Sequence, residues 1–317
     1  MNVFLTGITG FVGRAMSNRL MQAGHRVRAA LRDPNTTLVQ GIEPVIFDDM
    51  ATYDWASSLD GQSVVVHCAA RVHVMNEQSL DPLSEFRKVN VEGTLNLARH
   101  AAAGGVKRFI FISSIKVNGE ETQPGRPYTA DGTPEPIDPY GISKWEAEQG
   151  LREIAAATGM EVVIIRPVLI YGPGVKANFL SMVRWLDKGV PLPFGSINNN
   201  RSLVALDNLI DLMITTLDHP AAANQTFLVS DGEDLSSTEL LRRMASALRR
   251  PARLLPVPSE WLYFVANLLG KKALAQRLCG SLQVDISNTR SLLQWEPPLS
   301  VDAALKLVAD QYMESKK

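Results

Sequence analysis

Short apolar runs alternate with longer helical patterns through the first two thirds of the chain. Several of the runs are almost continuous Val, Ile and Phe, which is typical of strands that are covered on both faces. Helical periodicity falls near residues 12–23, 82–103 and 140–158. The candidate strands are Val3–Leu5, Val27–Leu31, Pro44–Phe47, Val64–His67, Phe109–Ser113 and Val162–Arg166. This alternation predicts an α/β fold, a doubly wound parallel sheet of the Rossmann type.

The pattern changes after Arg166, where Pro and Gly recur and shorter helical stretches follow. We therefore predict a dinucleotide-binding Rossmann domain over residues 1–167. Residues 168–317 are predicted to form mostly a smaller, mixed substrate-binding lobe, with some segments returning to the sheet. Between Glu120 and Pro139, five prolines predict a long loop that ends directly at Tyr140. Long loops in compact domains are often functional, so we expect this one to border an active site.

Composition narrows the classes of partner. The 317 residues include 32 basic and 33 acidic side chains, so no overall charge attracts nucleic acid. The two cysteines, Cys68 and Cys279, are far apart and are expected to be reduced core thiols. The five histidines form no ligand cluster with cysteines or carboxylates, which predicts that there is no metal.

The start of the chain already has the pattern of a strand, which leaves no room for a signal peptide ahead of it. The apolar stretch Trp261–Leu269 is under half of the roughly 20 residues that a membrane-spanning helix needs. We expect a cytoplasmic protein without stable membrane insertion. Docking of Trp261–Leu269 on a membrane surface is the alternative.

A glycine turn follows the first candidate strand and precedes a helix. Gly7 permits a tight turn, Gly10 lets a pyrophosphate approach the backbone, and Gly13 allows close packing of helix on strand. The free N–H groups of the helix start would then contact the phosphates. Although the spacing is G-x-x-G-x-x-G, its position predicts a bound dinucleotide. The expected contacts are Gly7, Thr9, Gly10, Phe11, Val12 and Gly13.

The end of the second strand bears on the choice of cofactor. An NAD enzyme would carry an acidic residue there, but this sequence has Leu31 followed by Arg32. A guanidinium suits a 2′-phosphate, so NADP(H) is favoured and NAD(H) is the alternative. Asp49 and Met50, after the third strand, are expected beside the adenine. Small residues after the fourth strand, Ala69 and Ala70, would let the backbone run close to the cofactor.

Candidate chemistry lies at Tyr140 and Lys144, which are one helical turn apart on one face. A nearby ammonium and a cationic nicotinamide would both lower the tyrosine pKa, so that Tyr140 exchanges a proton with a substrate oxygen. Ser114 ends an apolar strand and could hydrogen-bond the same oxygen.

Together, the glycine turn, Asn90 in Val-Asn-Val-Glu-Gly-Thr, Ser114 and Tyr140-x-x-x-Lys144 resemble the extended short-chain dehydrogenase/reductases, the NAD-dependent epimerase/dehydratase family. The resemblance covers essentially the whole chain. It implies a catalytic triad of Ser114, Tyr140 and Lys144, and a UDP-sugar substrate. It also implies a homodimer through the helices near 82–103 and 140–158.

The resemblance implies further roles. Asn90 would order a water and the catalytic helix. Asn178 and Arg201 would contact the substrate diphosphate, for which an amide and a guanidinium fork are suited. Pro167 lies in a strand and turn, continuing through Gly174, that would pass the cofactor on the way to the substrate lobe.

Several reactions compete within the family. A 4,6-dehydratase needs an Asp–Glu pair after the serine, and Ile115-Lys116 stand there instead. Asn118 replaces an aromatic residue often found in 4-epimerases, and the segments around Ser114 and Tyr140 look like bacterial reductases. We therefore predict NADP(H)-dependent reduction of the C4 ketone of a UDP-4-keto-6-deoxy-N-acetylhexosamine for surface polysaccharide such as O-antigen. The alternatives are a UDP-sugar 4-epimerase with tightly bound NAD, a reductase of a small non-nucleotide ketone or aldehyde, and a cofactor-sensing binding module.

Overall fold

A computed structural model of the protein describes residues 1–72, 81–270 and 272–316, with the side chains of 272–274 not described. The strands are β1 (Asn2–Thr6), β2 (Arg26–Leu31), β3 (Glu43–Ile46), β4 (Val64–His67), β5 (Arg108–Ile112), β6 (Glu161–Pro167), β7 (Leu169–Tyr171), β8 (Arg201–Ala205), β9 (Thr226–Val229) and β10 (Asp234–Leu235). The helices are α1 (Phe11–Gln22), α2 (Ala56–Leu59), α3 (Pro82–Arg87), α4 (Gly93–Ala103), α5 (Pro139–Thr158), α6 (Ala177–Asp187), α7 (Leu206–Thr215), α8 (Ser237–Ala247), α9 (Ser259–Leu268), α10 (Lys272–Cys279), α11 (Ser287–Leu293) and α12 (Val301–Glu314).

The main sheet of the described chain has seven parallel strands in the order β3-β2-β1-β4-β5-β6-β9. The strand order reverses between β1 and β4, which is where doubly wound sheets bind ligands. This architecture confirms the predicted Rossmann-type α/β fold. The last strand, β9, comes from the C-terminal part of the chain and pairs with β6.

A smaller sheet accompanies the main one, in the order β10-β8-β7. The β7–β8 pair is parallel and the β8–β10 pair is antiparallel, so this sheet is mixed, as predicted. It begins immediately after β6, because only Val168 separates β6 from β7. The short link therefore holds the smaller sheet close to the end of the main one.

Alternation along β1 distributes its side chains between the two faces of the main sheet. Val3 and Leu5 pack with Met16 of α1, whereas Phe4 packs with Trp55 on the other face. The Phe4 and Trp55 rings meet edge to face, 5.7 Å between centroids. Full burial of one such side chain contributes about 1.5–3 kcal/mol, so helix layers on both faces stabilise the sheet.

Helix α5 begins and ends at clear capping residues. Asp138 is its N-cap and accepts a hydrogen bond from the Gly141 backbone N–H at 2.7 Å. Pro139 occupies the first helical position, where its missing N–H costs nothing. Gly159 ends the helix in the left-handed region, with φ +78°. These caps place Tyr140 in the first turn of α5, at the end of the proline-rich loop.

Candidate active site at the carboxyl ends of the parallel strands

The glycine turn joins β1 to α1 with very little space. Gly7 has φ +73°, and a Cβ on it would lie 2.6 Å from the backbone nitrogen of Ala69. A Cβ on Gly13 would lie 2.1 Å from the Gly7 carbonyl oxygen. These two glycines are therefore required by the close approach of α1 and of the segment after β4 to the turn, whatever ligand binds.

The N-terminus of α1 has the properties of an anion site. Its N-cap is Gly10, and within the described structure no side chain caps the helix and no acidic residue lies in its first turn. The first N–H groups of a helix lack intrahelical acceptors and carry a partial positive charge. Thr9 and Gly10 are exposed, and Phe11 and Val12 are half-buried. The turn thus fits the diphosphate of a dinucleotide.

A buried polar chain behind the turn was missed by sequence reasoning. The Thr6 hydroxyl lies 2.7 Å from His67 Nδ1 and accepts from the Ala69 backbone N–H at 3.2 Å. His67 Nε2 lies 2.9 Å from the Thr94 hydroxyl. Burial lowers the pKa of His67 to about 3, so its ring is neutral at physiological pH. The chain anchors the ends of β1 and β4 where Ala69 and Ala70, both half-buried, pass the turn.

The predicted adenine side of the site lies at the ends of β2 and β3. Arg32 is exposed immediately after β2. Asp49 pairs with Lys88 at 2.9 Å, and this contact lowers the pKa of its carboxyl. Met50 is buried and touches Gly93, where a Cβ would lie 3.1 Å from its side chain. Asp49 is therefore already engaged, and adenine would have to share it with Lys88.

The structure brings Ser114 and Tyr140 together. The Ser114 hydroxyl lies close enough to the Tyr140 phenol to lower the pKa of that phenol. Ser114 follows β5, and the short turn after it packs on the start of α5, where a Cβ on Gly141 would lie 2.8 Å from the Lys116 carbonyl oxygen. Lys116 Nζ also forms an ion pair with Asp138, the N-cap of α5. This pairing ties the serine turn to the helix that carries Tyr140 and Lys144.

The pKa values of Tyr140 and Lys144 differ from the expectation that a nearby ammonium lowers the tyrosine pKa. Burial and the Asp138 charge raise the pKa of Tyr140 to about 12, although the Ser114 hydrogen bond lowers it. Burial lowers the pKa of Lys144 to about 7, opposed by the charge of Glu148. Its Nζ lies 4.1 Å from the centre of the Phe111 ring, which favours the charged form. The protein groups alone therefore leave the phenol protonated at neutral pH.

Asn90 lies in a π-helical turn, Lys88–Glu92, between α3 and α4. Its side chain is buried and donates to the Ser143 hydroxyl at 3.0 Å. It also exchanges hydrogen bonds with the backbone of Arg71, accepting from the N–H at 2.8 Å and donating to the carbonyl at 3.0 Å. Since Ser143 stands directly before Lys144, Asn90 connects α5 to the segment after β4.

Sequence reasoning also missed a buried ion pair beneath this site. Glu148 is one helical turn beyond Lys144 and fully buried, and it accepts from Arg166 Nη2 at 2.6 Å and Nε at 2.9 Å. Arg166 Nη1 donates to Asn118 Oδ1 at 3.0 Å, and Asn118 Nδ2 donates to the Thr129 carbonyl at 3.0 Å. The network thus joins α5, β6 and the proline-rich loop. The available signal was the recurrence of Tyr140, Lys144 and Glu148 every four residues.

The remaining predicted site residues, Pro167 for the cofactor and Asn178 and Arg201 for the substrate, lie at or beyond the end of β6. Pro167 is buried at the end of β6, and Asn178 is exposed in the first turn of α6. Arg201 opens β8, and its guanidinium donates to the carbonyls of Arg277 at 3.1 Å and Gly280 at 2.9 Å. Burial lowers the pKa of Arg201, and the charge of Glu121, in the loop after Ser114, raises it. The structure therefore brings Arg201 near that loop and engages it with the end of α10.

The sequence also led to expectations about a metal and about the two cysteines. Among the described residues there is no group of His, Cys, Asp and Glu that could hold a metal ion; His73 lies outside them. Cys68 and Cys279 are both free and half-buried. Burial raises the pKa of the Cys68 thiol to about 12, so this thiol is protonated at neutral pH.

The comparisons with known proteins agree on one family. The model described as the NAD dependent epimerase/dehydratase family matches residues 3–230. A UDP-glucose 4-epimerase of Vibrio cholerae is 48% identical over 317 residues, covering 99% of this chain and 96% of that protein. An N-acetyl-alpha-D-glucosaminyl-diphospho-ditrans,octacis-undecaprenol 4-epimerase of Escherichia coli O157:H7 is 27% identical over 310 residues, covering 92% and 89%.

Two solved structures have the same fold over the full length of this chain. UDP-glucose 4-epimerase of Thermotoga maritima, with UDP-glucose, superimposes with a TM-score of 0.79 at 22% identity and covers 100% of both chains. UDP-glucuronic acid 4-epimerase of Bacillus cereus, in complex with NAD, has a TM-score of 0.79 at 19% identity, again covering 100% of both. At these identities the similarity establishes the fold.

The prediction of a C4-ketone reductase is wrong, because the relative at 48% identity over nearly the whole chain is a 4-epimerase. One of its grounds was Asn118. In the structure Asn118 is buried and bound to Arg166 and the Thr129 carbonyl. Asn118 therefore anchors a loop, and its presence is no evidence for net reduction. The preference for NADP, which rests on Arg32, stays a prediction.

Proposed function

Because this chain belongs to the NAD-dependent epimerase/dehydratase family, we propose that it catalyses the 4-epimerisation of a UDP-linked hexose, of the glucose or N-acetylglucosamine type. The observation that carries the proposal is the 48% identity to a UDP-glucose 4-epimerase across 99% of the chain. The cofactor is a bound nicotinamide dinucleotide on the α1 turn. NAD is the form found with the solved relative from B. cereus.

When bound, the dinucleotide supplies reversible oxidation at C4 of the sugar. The Tyr140 Oη accepts the proton of the C4 hydroxyl as the ketone forms and returns a proton to that oxygen afterwards. Ser114, which lies beside the phenol, orients the same oxygen. The charged form of Lys144, one helical turn away, and the cationic nicotinamide of the bound dinucleotide would together favour the phenolate, which the protein groups alone do not. Asn178 and Arg201 would hold the diphosphate while the sugar presents either face.

The proposal is tested by incubating the purified protein with UDP-glucose or UDP-N-acetylglucosamine and separating the products. The expected result is interconversion with the C4 epimer, with no stoichiometric oxidation of added NADPH at 340 nm, because the sugar is oxidised and reduced in turn. Stoichiometric consumption of NADPH, or no epimer from either sugar, would contradict the proposal.

Arg32 provides a test of cofactor choice. Arg32→Ala is expected to weaken NADP(H) binding by about tenfold or more, the value of one charge-assisted hydrogen bond. NAD(H) binding should change little, since it lacks the 2′-phosphate that a guanidinium would contact. Titration of both dinucleotides against wild type and variant measures this. An equal change for the two would show that Arg32 does not contact the 2′ position.

A second candidate substrate is a hexose carried on a polyprenyl diphosphate, as the name of the E. coli relative describes. It shares the sugar and the diphosphate with the first, so Arg201 would serve both. The observation that favours it is an apolar groove between α9 and α10, lined in part by Leu278 and Cys279. These residues lie between the two carbonyls, of Arg277 and Gly280, that accept from Arg201. Epimerisation of a polyprenyl-diphosphate sugar, measured beside that of the UDP-sugar, distinguishes the two.

A further inference from the structure

Helix α9 exposes an apolar stripe. Its large side chains recur at the spacing of one helical face, and no residue of α9 is buried. The exposed fractions are 62% for Trp261, 58% for Phe264, 71% for Leu268 and 65% for Leu269, the residue that follows the helix. A surface helix ordinarily turns such a stripe towards the core. Contiguous exposed apolar residues of this kind mark an interaction surface.

The inner side of α9 faces α10 across an apolar groove. Leu262 and Ala266 line the groove that α9 forms with α10. Leu269 borders both surfaces, because it also lines this groove, whereas Trp261, Phe264 and Leu268 do not line it. The Trp261 and Phe264 rings meet edge to face, 6.3 Å between centroids. Within the described residues, the stripe is therefore the side of α9 that the fold leaves in solvent.

The segment of the chain that carries the stripe is basic in sequence. Residues 249–279 contain six Lys or Arg and one acidic residue, Glu260, whereas the whole chain has a net charge of −1. Arg249 and Arg253 precede α9 and are exposed. In the sequence, Lys271 and Lys272 follow directly after Gly270. An apolar helix face carried by a basic segment of the chain is complementary to a membrane surface with anionic headgroups.

We infer that the outer face of α9 docks on an anionic lipid membrane. Trp261 and Phe264 enter the headgroup region, where aromatic side chains are favoured, and Leu268 and Leu269 reach the acyl boundary. Helix α9 has ten residues, half of the roughly 20 needed to cross a bilayer, so it lies in the interface. No helix in the described parts of the chain is long and apolar enough to span a membrane.

Charge also distinguishes the membrane from a second copy of the chain. A two-fold contact through the stripe would bring two identical surfaces together, each with a local excess of positive charge. Like charges in such an interface repel each other, whereas anionic headgroups attract them. The observations therefore favour lipid over self-association.

The test is flotation of the full-length protein with vesicles. Binding to mixed phosphatidylcholine and phosphatidylglycerol vesicles is expected to exceed binding to phosphatidylcholine alone by about tenfold or more, and to fall in high salt. Leu268→Glu should reduce flotation with the mixed vesicles by about tenfold or more, because it puts a carboxylate in the apolar stripe. Leu307→Glu is the matched control, since Leu307 is an exposed leucine on α12.

Epimerisation of a soluble UDP-sugar is measured on the same samples. Leu268→Glu should retain it, because α9 carries none of the proposed catalytic residues, and this separates failure of docking from failure of the proposed function. Flotation of Leu268→Glu at the level of wild type, or no flotation of wild type with either vesicle, would overturn the inference. A wild-type dimer that Leu268→Glu converts to a monomer without changing flotation would overturn it in favour of an interface between copies.

Discussion

Replacing Tyr140 with phenylalanine is expected to lower kcat for 4-epimerisation by about 10³-fold, within the range of general acid–base catalysis. The substitution removes the oxygen that lies beside Ser114 and that exchanges the proton of the C4 hydroxyl. The ring remains, and it meets Phe86 edge to face at 6.1 Å between centroids. The fold and dinucleotide binding should therefore persist, as measured by circular dichroism and cofactor titration alongside product analysis.

Tyr128→Phe is the matched control for Tyr140. The Tyr128 hydroxyl donates to the Glu121 backbone carbonyl at 2.7 Å, within the proline-rich loop. Its loss should cost about 1 kcal/mol of stability and leave kcat close to that of wild type. Turnover of Tyr140→Phe near the wild-type rate would exclude Tyr140 as the proton-exchanging group. A similar fall in both variants would point to the loop and not to the phenol.

Replacing Glu148 with glutamine is expected to lower the free energy of unfolding by about 3 kcal/mol, because it leaves the buried Arg166 guanidinium without its counter-charge. Two of the Arg166 hydrogen bonds, at 2.6 and 2.9 Å, go to this carboxylate, which is fully buried. Chemical denaturation measures the change. The Glu148 charge also raises the pKa of Lys144, so its removal should shift the Lys144 titration further below about 7.

Glu146→Gln, two residues earlier on α5, is the control for Glu148. Glu146 also pairs with an arginine, Arg87, at 2.6 Å, but this pair lies at the surface. Surface pairs contribute about 0–1 kcal/mol, so this variant should unfold near the wild-type midpoint. Equal losses of unfolding free energy in the two variants would show that the buried pair stabilises the fold no more than the surface pair does. A Lys144 titration unmoved by Glu148→Gln would remove Glu148 as a positioning residue for the site.

The sequence alone predicted the features that depend on local pattern. Apolar runs of strand length predicted six strands of the main sheet to within a residue or two at each end, because burial on both faces demands a continuous apolar run. The spacing of Tyr140 and Lys144 placed both on one face of α5, since four residues are close to one helical turn. The glycines predicted the turn, because Gly7 and Gly13 have no space for a Cβ.

The reaction was not predicted correctly, because single positions were interpreted outside their surroundings. Asn118 was compared with an aromatic residue of other proteins. In the structure, its buried contacts with Arg166 and Thr129 account for an asparagine at this position. Arg32 is exposed, so its presence alone does not select a cofactor. The overall sequence match averages over all positions, and it gave a 4-epimerase as a relative at 48% identity where individual residues had suggested a reductase.

Only the tertiary structure decided which residues far apart in sequence meet. The return of β9 to the main sheet, the pairing of Glu148 with Arg166 and the contact of Arg201 with the end of α10 join segments separated by 18 to 79 residues. The exposed face of α9 has the same apolar period as a buried helix, so the pattern along the chain cannot tell the two apart. Periodicity reports which side of an element avoids water, but what covers that side depends on the packing of the whole chain.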